Sequence, residues 1–141
     1  MVDRAVVDTD RFVQQLMGVQ EELGLAEQTN LVVTSDHGQM EVQRIMNLNV
    51  MLADYGFLDV RKDGYVTDWR AYCLSNGLSA VVYLKDPLDE KLYQRVFQLL
   101  RWMREEGIYG ISEVLTAEEA DEKYRLNGPF SFVIESDDYT S

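Results

Sequence analysis

A chain of 141 residues, 46% of them hydrophobic, is long enough to build a domain with a core of its own. Its 25 Asp and Glu against 13 Lys and Arg give a net charge of −12, which argues against a nucleic-acid backbone as the main partner, because phosphate contacts need clustered Lys and Arg. The single cysteine excludes an internal disulfide framework, and no apolar run approaches the roughly 18 to 20 residues that span a bilayer. The first residues, MVDRAVVDTDRF, are charged and periodic. They do not read as a secretory signal, so a cytoplasmic location with no membrane partner is the expectation. The excess carboxylates read as solvated surface. A small phosphate-bearing substrate stays open, since bound cations reverse a local field.

Residues 3–23 predict an amphipathic helix. Val2, Val6, Phe12, Val13, Leu16, Val19 and Leu23 recur at helical spacing, with Ala5 and Thr9 bridging the stripe. Asp3 reads as its N-cap and Gly24 as its C′ residue. A polar connection at 26–30 leads to Leu31, Val32, Val33 and Thr34, a run that predicts a buried strand over 31–35. Helix, short loop and buried strand make half of an α/β repeat. A parallel sheet needs several such strands and the chain supplies few, so its partner strands are expected outside the chain.

Asn47 can cap a short helix over 48–55, closed by Gly56, and 57–69 reads as a loop or weak hairpin around Asp63-Gly64. Two apolar runs, 70–75 and 78–84, flank Asn76-Gly77, a strong hairpin signal. A helix over 89–106 carries the stripe Leu92, Val96, Leu99, Leu100 and Met103 and ends at Gly107. A short strand over 111–115 follows. Thr116 and Glu119 form a capping-box pattern for a helix over 117–125, and after the Asn127-Gly128-Pro129 turn a last strand is expected over 130–135. The expected fold is thus α/β over 1–45, followed by an α+β module over 46–141 whose order from 70 onward suits a small ferredoxin-like sandwich.

The candidate chemistry lies where the 31–35 run stops, at Ser35, Asp36, His37 and Gly38. Ligands in α/β proteins bind beyond the carboxyl ends of strands. His37 is the only histidine in the chain, so imidazole chemistry can come from nowhere else. Adjacent Asp and His can face one metal if the chain turns sharply, and Gly38 can take the dihedrals for such a turn. A carboxylate with an imidazole suits zinc, manganese or iron. Two other readings stay open: Asp36 only orients His37, or both are hydrogen-bonded strand-end residues. Thr34 reads as packed in the strand and Ser35 as a local hydrogen-bonding residue rather than a nucleophile.

The string TNLVVTSDHGQ, preceded by VDRAVVDTDRFVQQLMGVQEELGL, resembles the corresponding segment of the alkaline phosphatase superfamily. It is most similar to the type I phosphodiesterase/nucleotide pyrophosphatase branch, including phosphonoacetate-hydrolase-like members. There a helix leads to a strand ending in T/S-D-H-G-M, and Gln39 stands where Met is usual. RIMNLNVMLADYGFL resembles the family's I-N-L-N-x-x-L-x-x-x-G-L/F segment, so the resemblance runs over about 1–58. It implies hydrolysis of phosphate esters, phosphodiesters or nucleotide pyrophosphates with two divalent metal ions, zinc first among them, about 4 Å apart. It implies Asp36 and His37 as ligands of one ion, and a Thr or Ser nucleophile. It also implies a second Asp pair and two further histidines, which one histidine cannot satisfy. The nucleophile and the remaining ligands are therefore expected outside these residues, and the chain is expected to be an inactive part of a larger enzyme. With its partner strands missing, it is also expected to self-associate.

The rival reading is a non-catalytic α+β binding or structural module. Cys73 reads as a small buried hydrophobe. Tyr65, Trp69 and Tyr72 read as core or hairpin packing, with stacking on a nucleobase as the alternative. Residues 107–110 read as a helix-to-strand turn, and the acidic end at 135–139 as solvated rather than a calcium loop.

Overall fold

The computed structural model describes residues 2–38, 41–137 and 140. The chain forms two compact units, Met1–Gly38 and Gln39–Ser141. Among the described residues no helix is long and apolar enough to cross a membrane.

In the first unit, α1 (Val2–Glu22) forms where the apolar stripe recurs at helical spacing. Its polar face carries Asp8 paired with Arg4 at 3.9 Å and with Arg11 at 3.2 Å. Asp3 is not the N-cap: the helix starts at Val2, and Asp3 sits in the first turn, where a carboxylate still favours the positive helix end. The end is as expected. The Gly24 N–H donates to Glu21 O at 3.0 Å and the Leu25 N–H to Gln20 O at 2.8 Å, the paired bonds of a Schellman close. A 3-10 turn, Ala26–Gln28, follows.

The expected strand at 31–35 is absent; residues 29–35 carry no regular structure. A strand exists only through a ladder with a neighbour, and this unit offers none. Val32 is 80% exposed and Val33 69%. No described residue of this unit is buried.

The second unit holds the core. α2 (Leu48–Asp54) starts at Asn47, whose side chain makes no capping hydrogen bond. The Asn47 carbonyl instead accepts from the Val50 N–H at 3.1 Å. The helix closes through Phe57 N–H donating to Leu52 O at 2.7 Å, with both side chains buried. The 57–69 segment is the hairpin rather than the loop: β1 (Leu58–Val60) pairs antiparallel with β2 (Val66–Trp69), in the register Leu58↔Trp69.

β3 (Ala71–Ser75) and β4 (Ser79–Leu84) pair around Asn76-Gly77, in the register Cys73↔Val82. α3 (Glu90–Glu106) is capped by the Asp89 carboxylate, which accepts from the Leu92 N–H at 3.0 Å. β5 (Ile111–Thr116) runs straight into α4 (Ala117–Tyr124), because Thr116 is both a strand end and an N-cap. The capping box is complete: the Glu119 N–H donates to Thr116 Oγ1 at 3.2 Å, and the Thr116 N–H to Glu119 Oε2 at 2.8 Å. β6 (Phe132–Ser136) is the last strand of the chain and runs one residue beyond the expected end at Glu135.

The four-stranded order is β3-β4-β6-β5, with every neighbouring pair antiparallel. β4 and β5 therefore run parallel with β6 between them, and β4-α3-β5 is a split βαβ. The ferredoxin-like expectation holds for that half only. α4 joins antiparallel neighbours, so it makes no second crossover, and the order is ββαβαβ.

One face of this sheet carries Ala71, Cys73, Val82, Leu84, Phe132 and Ile134 against Val96, Leu100 and Met103 of α3, with Leu48 and Leu52 of α2. Each fully buried aliphatic or aromatic side chain stabilises by roughly 1.5–3 kcal/mol. Phe97 of α3 stacks on Phe132 with ring centroids 5.5 Å apart. On the other face, Ala120 of α4 packs with Leu115, Phe130 and Val133.

Candidate metal centre

Asp36 and His37 stand on irregular backbone, and the bend falls at Asp36. Gly38 does not supply it: its backbone is not among the glycines with positive φ. The His37 N–H donates to the carboxylate of the residue before it, Asp36 Oδ1, at 2.9 Å. The Ser35 hydroxyl donates to His37 O at 2.6 Å.

This backbone brings the two predicted side chains together. His37 Nε2 lies 3.4 Å from Asp36 Oδ2. On its other edge, His37 Nδ1 lies 2.8 Å from Gly38 O. A carbonyl cannot donate, so Nδ1 carries the proton in that contact. In the neutral ring Nε2 then keeps its lone pair and faces the carboxylate. Two such donors side by side could serve one metal ion. Their spacing also suits metal binding, because ligands at roughly 2.0–2.2 Å from one tetrahedral ion sit about 3.4 Å apart. The Nδ1–H held by a backbone carbonyl is the supporting contact that orients metal-bound imidazoles.

The arrangement stops at two donors. Among the described residues no group of three or more His, Cys, Asp or Glu could hold a metal. Both side chains are open to solvent, Asp36 at 86% and His37 at 71%. Gln39 lies outside the described residues.

The other singled-out residues take no part in this pair. Thr34 is exposed, not strand-packed, and its hydroxyl donates to Ser35 O at 3.4 Å. Cys73 is buried, and burial pushes its thiol up to about 11, so it stays protonated at neutral pH. Trp69 and Tyr72 meet edge to face with centroids 6.3 Å apart, while Tyr65 is exposed beneath Arg61. Trp69 and Tyr72 line an open concavity of about 420 Å³ with Val66 and Tyr83. Residues 107–110 connect α3 to β5, with Gly107 in the left-handed region. At the acidic end, Asp137 pairs with Arg44, and Asp138 and Tyr139 lie outside the described residues.

The sequence reading gave Asn49 no role. Its amide donates to Cys73 O at 2.9 Å and accepts from the Cys73 N–H at 2.8 Å, closing the outer edge of β3. Only its place between Leu48 and Val50 in a motif-like segment could have flagged it.

A family model described as type I phosphodiesterase / nucleotide pyrophosphatase matches residues 2–128. Comparison with curated proteins gives no match.

Proposed function

The chain belongs to the type I phosphodiesterase / nucleotide pyrophosphatase family, within the alkaline phosphatase superfamily, and from that premise we propose that Asp36 and His37 are two ligands of a divalent metal in a phosphodiester hydrolase. Hydrolysis of phosphodiesters is the activity that family membership supports. The observation that carries the metal reading is the facing pair, with Nε2 and Oδ2 3.4 Å apart. A divalent cation held there would stabilise charge on phosphoryl oxygens. Asp36 would supply the hard carboxylate oxygen and His37 the imidazole nitrogen, oriented by Gly38 O.

Two donors fall short of the three or four protein ligands that a zinc site uses. The chain is accordingly one part of a larger hydrolase, and the nucleophile and remaining ligands come from segments upstream and downstream of these residues in the same protein. The bare apolar residues Phe12, Leu16, Val32 and Val33 support this reading. The chain by itself is expected to bind zinc weakly and to leave a chromogenic phosphodiester intact. Turnover by the pure chain that disappears in His37→Ala would overturn the two-ligand account.

One observation favours the rival, a non-catalytic α+β module. Every buried described residue belongs to the unit Gln39–Ser141, which does not contain Asp36 or His37. The coding sequence on either side of this frame discriminates between the two. A Thr or Ser nucleophile with a D-x-x-x-H pair upstream and an isolated His-Gly downstream favour the hydrolase. Stop codons immediately outside favour the module.

A further inference from the structure

We draw no further inference here: the strongest candidate, the concavity that Val66, Trp69, Tyr72 and Tyr83 line beside the β3-β4 hairpin, is an unpartnered apolar surface, and nothing in the structure shows what covers it.

Discussion

Asn49 illustrates how one side chain can stand in for a strand. Its amide satisfies both backbone groups of Cys73, at 2.9 and 2.8 Å, where β3 has no further neighbour. Replacing it by Leu keeps the branching of the side chain and strands a partly buried donor and acceptor. Asn49→Leu is expected to destabilise by about 1–3 kcal/mol, seen as a lower urea midpoint. An unchanged midpoint would show that water satisfies the edge equally well. A second residue-scale effect comes from Glu135 and Glu113, opposite each other on β6 and β5. Burial, with the Glu113 charge beside it, raises the Glu135 pKa. The hydrogen bond from Lys123 lowers that of Glu113. The signs are opposite. A raised carboxyl penalises the folded state while ionised, so stability rises as pH falls through the Glu135 pKa. A lowered carboxyl contributes stability that is lost at still lower pH, as Glu113 protonates. Glu135→Gln is therefore expected to raise the thermal midpoint at pH 7 and to flatten the gain just above pH 4.5, the ordinary value for this carboxyl. A lower midpoint at pH 7 would contradict this.

Among the elements, helices and hairpins were legible because their signals are local. Thr116 with Glu119 and Asn76-Gly77 each act within a few residues, and each sits where the sequence puts it. Asp89, expected as the first residue of its helix, is the residue that caps it. The 31–35 run was read from the same kind of local pattern and failed. Its apolar residues say that this segment suits a sheet, but the ladder that makes a strand is a tertiary property. α1 has the complementary problem: its stripe is genuine, yet Phe12 is 62% exposed and Leu23 66%. A pattern identifies the apolar face and not what covers it. Exposed apolar helix and strand-prone segments invite pairing with a second copy. The apparent mass is expected to rise with concentration in light scattering, and Leu16→Lys with Val32→Lys to suppress the rise. A native chain that stays monomeric throughout would contradict this.

At the scale of the whole molecule, the family match over residues 2–128 crosses the division between Gly38 and Gln39. The core and the candidate chemistry thus belong to different units of one family segment. The sequence singled out Asp36 and His37 through the S-D-H-G string at the end of an apolar run, and the two side chains lie 3.4 Å apart. The way the two meet was not legible. Gly38 was expected to make the turn, yet it lacks the positive φ of a turn glycine and the bend falls at Asp36. Among the described residues no third His, Cys, Asp or Glu joins the pair. The most direct measurement is metal content together with phosphodiester turnover in the hydrolase that carries this sequence, native and with Asp36→Ala and His37→Ala combined. The account predicts that about one metal ion per chain is lost and that turnover falls at least about 10-fold, the loss that even indirect changes at metal sites cause. Native metal content with native turnover in the doubly substituted enzyme would contradict it.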